Sequence, residues 1–538
     1  MKNILIVSFV SVLLAGCTQP CIHTTTIKPL EGEKWWGAII NDGYHQPYSD
    51  VEETDLASVN KGGATAPLFV SSCGRYVWSD RPFSYSFKNG VMTIRSKTEK
   101  VQPTVAGTTL REAYLAACKA HFQFTGGIPP KEFFEKPQFN NWIEIFLRGI
   151  NQQVVDEYTD AIAANGFPCG VYMMDGGYLK HMGSMSFEDS LFPDPTAMFD
   201  RIHSHGWKSI IWMAYFVSPD SREYKKLRYH AQHSTLDLLV HRRDNNEAAV
   251  IRWWSGISAA YDLTNPEGYK YYSDELKSFL ERYHIDGFKF DAGDPRFFTE
   301  SGDYRFHTPE LEAVDYSTAY NRLAFEFPYN EYRSGFRCGG WPIVQRLHDK
   351  AHSWEDLKQI SPEIQMAGLM GSPYVVGDMI GGGLEVSFIP LKGEIDHKLF
   401  VRSCELQALM PMMQFSLAPW RVLTKEECDI CRDMAGLHVE FSPYIIELAE
   451  HAAETGEPIV RSMEYEYPHQ GFNRPMQQFM LGARYLVAPV VDADDSVTVE
   501  LPEGEWKDDL GEIHHGPVVL NLTDVPLERL PYYEKQNR

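Results

Sequence analysis

Three short apolar runs each end in an aspartate: "GVYMMD" at Asp175, "GFKFD" at Asp291 and "YVVGD" at Asp378. A carboxylate just past a buried strand is costly to hold without partners, so each is either satisfied structurally or placed for chemistry. Any one of them could be a helix cap. Three strand ends with the same residue type point instead to a shared site. Two carboxyl groups flanking a glycosidic bond suffice to cleave it, with no metal and no cofactor. One attacks the anomeric carbon; the other protonates the departing oxygen and then activates water. The attacking group needs a low pKa, which Lys289 or an arginine could support, and the proton donor needs a raised one.

Strand ends converge on one centre when the strands run parallel, and the surrounding sequence has that rhythm. "INQQVVDEYTDAIAANG" and "PTAMFDRIHSHG" have helical periodicity, and each precedes a strand-like run, "CGVYMMD" and "KSIIWMAY". Thr264-Asn265-Pro266 then starts the helix "NPEGYKYYSDELKSFLERYH" before "GFKFD". "SWEDLKQISPEIQMAGLMG" leads to "PYVVGDMI", and "IDHKLFVRSCELQALMPM" leads to "MQFS". This α/β alternation over about 300 residues predicts a (β/α)8 TIM barrel, at 136–452, rather than an open sheet, with its active site at the C-terminal strand ends. No glycine-rich dinucleotide fingerprint follows an early strand. Residues 17–135 are rich in Thr, Val, Gly and Pro, carry a hairpin signal at Asn89-Gly90, and predict an N-terminal β-sandwich. Residues 453–538 return to short strands and turns and predict a C-terminal β-sheet domain.

The chain has 538 residues, 43% of them hydrophobic and 13% aromatic, enough for a large core and more than one domain. Its net charge of -23 argues against a nucleic-acid partner and against electrostatic docking on anionic lipid, both of which need basic patches. Twelve Trp and 28 Tyr supply flat faces that suit sugar rings as well as cores. At the N-terminus, Lys2 precedes an apolar run from Ile4 to Ala15 that is too short to span a bilayer comfortably. It ends in Leu14-Ala15-Gly16-Cys17, which resembles a bacterial lipobox. That resemblance implies a signal peptide over residues 1–16, lipidation of Cys17, and attachment to a membrane by the lipid alone; the alternative is an ordinary signal peptide with a chance cysteine. Thr18 stands where Asp would favour inner-membrane retention, so the expectation is an outer-membrane lipoprotein facing the periplasm or the cell surface. The other cysteines lack zinc-ribbon spacing, and Cys428 and Cys431 read as packed thiols or a disulfide rather than metal ligands.

With these residues in view, the chain resembles glycoside hydrolase family 31. "FKFDAGD" is similar to the family's nucleophile motif, which implies that Asp291 carries the covalent glycosyl intermediate. "GVYMMDGGY" matches the earlier strand whose Asp binds the reacting sugar, here Asp175, and "FPDPTAMFDRIHSHGWKSIIWM" places Trp212 beside that sugar. "RSGFRCGGWPIVQRLHDKAHSW" resembles the acid/base loop, which implies Arg346, Asp349 as proton donor and base, and Trp354. "GSPYVVGDMIGGG" and "QQFMLGARYLVAPVV" match the next strand and the start of the C-terminal domain. The family's α-glucosidases usually place one more residue between the Arg and the Asp, with Gly directly before that Asp, where this chain has Leu347-His348. They also carry an Arg and a His where this chain reads "MPMMQFSLAPW". The wording is closer to the branch that includes the myogenesis-regulating glycosidase, which implies a retaining, exo-acting α-galactosidase. Its partner would be an oligosaccharide or glycoconjugate with a terminal α-linked sugar. The alternatives are an α-glucosidase or α-xylosidase of the same family, a surface lipoprotein that binds glycans without cutting them, and a metal-dependent barrel hydrolase.

Asp175, Trp212, Trp254, Lys289, Arg346 and Asp378 are the expected substrate-binding or carboxylate-tuning residues, with Asp291 and Asp349 as the catalytic pair. Trp253-Trp254 reads as a sugar platform or a hydrophobic plug. His203 and His205, before Gly206, read as a helix C-terminus rather than a metal pair. Asp262 reads as structural, Asp294 as a loop or helix-start acid, and Glu405 as solvated or paired with Arg402; His348 either lines the site or covers it.

Overall fold

The computed structural model describes residues 22–59, 63–233, 237–245, 247–302, 304–392 and 394–536; the expected signal peptide and Cys17 lie outside them. Eight strands form its centre: β1 (Gln138–Asn140), β2 (Val171–Met174), β3 (Lys208–Met213), β4 (Gly287–Phe290), β5 (Tyr329–Tyr332), β6 (Gln345–Arg346), β7 (Val375–Val376) and β8 (Gln414–Phe415). Neighbours run β7-β6-β5-β4-β3-β2-β1-β8. Every pairing is parallel, for example Val171 with Lys208 and Gly287 with Tyr329. A parallel bridge between Val376 and Met412 brings the last strand back to β7 and nearly closes the barrel.

Strands β2 to β4 are near-continuous apolar runs because helices cover the barrel's outer face. Strands β1, β5, β6 and β8 carry buried Gln138, Glu331, Gln345 and Gln414 instead. Gln414 Nε2 donates to Glu331 Oε2 at 2.8 Å and to Gln138 Oε1 at 3.1 Å, and Arg346 Nε lies 3.4 Å from Glu331 Oε1. The barrel interior is therefore polar where it supports Arg346.

The expected helices form where caps allow them: α1 (Gln152–Ala164), α2 (Pro195–Ser204), α3 (Pro266–Tyr283), α4 (Trp354–Leu369), α5 (His397–Ala408) and α6 (Lys425–Thr455). The Asn265 side chain accepts from Glu267 N at 3.0 Å with Pro266 in the first turn, and the Ser353 hydroxyl accepts from Asp356 N at 3.2 Å. His203, in the last turn of α2, pairs with Asp286 at 2.8 Å. Asp262 accepts from Thr264 N and His307 N ahead of α3. Glu405 pairs with Arg402 at 2.7 Å with both side chains buried, so its solvated alternative falls. Cys428 and Cys431 are buried free thiols, so the disulfide alternative falls too.

The N-terminal part is a sandwich of two sheets. One is ordered His23–Ile27, Val91–Ser96, Ser84–Lys88, Val51–Asp55; the other is built on Ala64–Ser71, flanked by Trp35–Ile39 and Arg75–Trp78. Asn89 and Gly90, both with positive φ (49° and 74°), make the two-residue turn that pairs Lys88 with Val91. Ile27, Tyr85, Phe87 and Ile94 from the first sheet meet Trp35, Phe69 and Val77 from the second. Six strands between Val460 and Gln536 form the C-terminal sheet. Among the described residues no helix is long and apolar enough to cross a membrane.

Candidate active site

A cavity of about 640 Å3 opens at the C-terminal ends of the barrel strands, lined by Asp175, Trp212, Trp254, Lys289, Asp291, Arg346 and Asp349 among others. Seven of the eight residues expected in the site are thus brought together. Asp378 does not line the cavity.

Asp291 follows β4 directly. Its Oδ2 accepts from Trp212 Nε1 at 2.7 Å and its Oδ1 from Ala292 N at 2.9 Å. Ala292 adopts φ 65°, turning the chain sharply after the strand. Asp291 N donates to Met213 O at 2.9 Å, which ties the start of that turn to the end of β3. The indole that borders the cavity therefore also orients the carboxylate. Asp175, at the end of β2, receives Lys289 Nζ at 2.6 Å in a buried ion pair, and its own amide donates to Asn141 Oδ1 at 2.8 Å. This pair offers one acceptor and one donor to neighbouring hydroxyls of a ligand.

Asp349 follows β6, with 26% of its side chain exposed. Arg346 Nη1 donates to its Oδ1 at 2.5 Å, and Arg333 Nη1 to its Oδ2 at 3.4 Å. Burial opposes its ionisation, but the charges of Arg346, Arg333 and Lys289 outweigh burial and hold the carboxyl below its ordinary value. Asp378 stands behind it, fully buried at the end of β7. Its Oδ2 accepts from Lys350 N at 2.7 Å and Gly383 N at 3.0 Å, and its Oδ1 lies 3.4 Å from Arg346 Nη1. Burial and then the Asp349 charge push Asp378 upward. With both oxygens taken up by Lys350 N, Gly383 N and Arg346, and no place on the cavity, it supports the acid/base loop and tunes its carboxylate rather than binding the ligand as expected.

Trp253 and Trp254 divide the two expected roles. Trp253 is buried against Phe216, with ring centroids 4.3 Å apart, while Trp254 is 45% exposed at the cavity. Arg333 lies over the Trp254 ring at 4.9 Å and 3.6 Å from Asp294 Oδ2. Arg333, Arg296, Trp142 and Glu385 line the cavity without having been expected there. Burial, reinforced by the charges of Asp349 and Asp175, raises the carboxyl of Glu385. His348 is not among the lining residues; its ring turns toward Lys350, 2.9 Å away. Away from the cavity, Asp508, Glu512 and His514 stand close enough to share an ion, but the Asp508 oxygens already accept from Leu510 N, Glu512 N and His514 Nε2.

Comparison with known proteins adds relatives to this geometry. Residues 138–448 match the family model for the glycosyl hydrolases family 31 TIM-barrel domain, and 456–538 match that family's C-terminal domain. The mouse myogenesis-regulating glycosidase is 28% identical over 78% of this chain and 59% of its own length. A 1,3-alpha-isomaltosidase of Kribbella flavida is 24% identical over 65% of this chain and 51% of its own. The chain thus spans between half and three-fifths of these relatives. Among solved structures, a Flavobacterium johnsoniae dextranase complexed with glucose superposes with TM-score 0.80 at 18% identity, covering 95% of this chain and 66% of that one. A cycloalternan-degrading enzyme from Trueperella pyogenes, in complex with a covalent intermediate, gives 0.78 at 19% identity, covering 96% and 78%.

Proposed function

The chain belongs to glycoside hydrolase family 31, and on that premise we propose that it is a retaining, exo-acting α-glycosidase, with α-galactosides as its substrates. The observation that carries this is the pairing of two differently held carboxyls on one cavity. Asp291 is oriented by an indole and a backbone amide, and Asp349 by two guanidinium groups.

In the first step Asp291 attacks the anomeric carbon while the bond to the leaving oxygen breaks and that oxygen takes the proton of Asp349. In the second, Asp349 removes a proton from water, the water oxygen bonds to the same carbon, and Asp291 is released. Arg346 and Arg333 favour the anionic form of Asp349, the reverse of the raised value expected of a proton donor; their charges make the carboxyl a stronger acid toward the leaving oxygen and a weaker base toward water. The same charges keep the protonated form scarce in the free enzyme, so kcat/KM is greatest at acidic pH. Asp175 and Lys289 take the sugar hydroxyls, and Trp212 forms the wall behind Asp291. The galactoside preference rests on the motif wording shared with the myogenesis-regulating glycosidase branch.

Replacing Asp291 with Ala removes turnover while leaving the fold, and retained activity would overturn the assignment. Nitrophenyl α-galactoside, α-glucoside and α-xyloside assayed side by side decide the sugar, and the anomer of the first-formed product, followed by NMR, decides retention. Binding of α-linked oligosaccharides without turnover would favour the glycan-binding alternative, and loss of activity on chelation a metal-dependent one. From Leu14-Ala15-Gly16-Cys17 we also propose an outer-membrane lipoprotein. Labelled palmitate should enter the wild-type chain and not Cys17→Ser; incorporation into both would refute it.

A further inference from the structure

Directly behind the acid/base loop lies a buried ion pair that the reaction steps above do not use. Lys350 Nζ lies 2.6 Å from Glu363 Oε2, with Lys350 1% and Glu363 0% exposed. Glu363 sits in α4, and its Oε1 has no hydrogen-bond partner. His348 completes the group as a neutral acceptor: burial, then the Lys350 charge, pushes its imidazole down to about 3. Burying two charges carries a desolvation cost that their attraction often fails to offset, and apolar replacements of similar volume are often neutral or stabilising. Stability alone is thus a weak reason for the pair.

Its geometry supplies a better one. Lys350 is the residue after Asp349. Its amide donates to Asp378 Oδ2 at 2.7 Å, its carbonyl accepts from Leu384 N at 2.9 Å, and its ammonium is fixed to α4. The main chain beside Asp349 is therefore tied to the end of β7, to the loop after it and to α4 at once. Arg346, which also contacts Asp378, orients the carboxylate tip, the two main-chain hydrogen bonds hold the loop against β7 and the segment after it, and the Lys350 side chain adds the tie to α4.

We infer that Lys350 and Glu363 form a positioning pair for the proton donor, setting where the Asp349 carboxyl meets the leaving oxygen. The inference rests on the reading of Asp349 as that donor. A proton is passed over a heavy-atom distance of roughly 2.6–3.2 Å, and a misplacement of about 1 Å can cost about 100-fold in rate.

The test compares leaving groups. A disaccharide needs its departing oxygen protonated, whereas a glycosyl fluoride departs without that help. Asp349→Ala, Glu363→Gln and the double variant Lys350→Met/Glu363→Leu are assayed on both, using the sugar that the wild type prefers. The double variant removes both charges together, so it keeps the fold even where Glu363→Gln strands a buried ammonium. The expected result is a loss of about 100-fold in kcat/KM on the disaccharide, with kcat/KM on the fluoride retained, in a protein that unfolds like the parent; kcat/KM reads the first step alone, before Asp349 acts as base with either substrate. Equal loss on both substrates, or no loss on the disaccharide, overturns the positioning role. If Asp349→Ala itself fails to separate the two substrates, the donor assignment falls first, and the two failures are told apart.

Discussion

Arg333 occupies the point where three functions of the site meet. It reaches Asp349 at 3.4 Å and Asp294 at 3.6 Å, and its guanidinium covers the exposed ring of Trp254. Its positive charge is one of those that hold Asp349 low, so removing it lets the carboxyl keep its proton to higher pH. Because the proton donor must be protonated, Arg333→Gln should move the alkaline limb of kcat/KM upward by about one pH unit. A limb that stays in place would mean that Arg346 and Lys289 set the donor without Arg333. Arg333 was hidden from sequence reasoning because the strand before it, "YNEY", does not look like a strand. Asp175, Asp291 and Asp349 were legible because their motifs pair a strand or loop with a residue type the chemistry requires. Asp378 carried the same strand-end signal and does a different task, since only coordinates show which way a carboxylate turns.

At the scale of elements, apolar runs marked β2, β3, β4, β7 and β8, and capping residues marked the helices between them. Strands β1, β5 and β6 escaped because they carry buried Gln138, Glu331 and Gln345, the first two accepting from Gln414 of β8 and the third donating to the backbone, which erases the apolar signal. One residue fixes how closely two of these strands approach. At Gly287 a Cβ would stand 1.9 Å from Tyr329 O, so β4 and β5 close only around a glycine. Gly287→Ala must part the two strands, and a destabilisation of about 3 kcal/mol or more is expected. Urea unfolding measures it, and a change below about 1 kcal/mol would show that the barrel yields there. Activity should fall as well, because Asp291 lies four residues along the displaced chain.

At the scale of the molecule, composition changes along the sequence suggest three separable parts, but the core is shared. One apolar cluster runs from Trp36 and Val70 of the sandwich through Phe139, Ile211 and Phe290 of the barrel to Val487 and Leu530 of the C-terminal sheet. The sandwich is also joined by strand pairing out of sequence: Gly335–Phe336, between β5 and β6, pairs in parallel with Ala64 and Thr65. Arg81 adds an ion pair to Asp315 in the barrel region at 3.1 Å. A barrel cut from its sandwich would lose Phe122 and Tyr114 and expose the apolar face they cover, and would lose the strand that holds the β5–β6 loop carrying Arg333. Several domains in one chain usually unfold in steps, whereas a core that crosses every boundary couples them. Calorimetry of the protein should therefore give one heat-absorption peak, with activity lost in the same interval. Two peaks, or a folded fragment beginning at residue 136, would show that the shared core binds the parts less strongly than each part holds itself together.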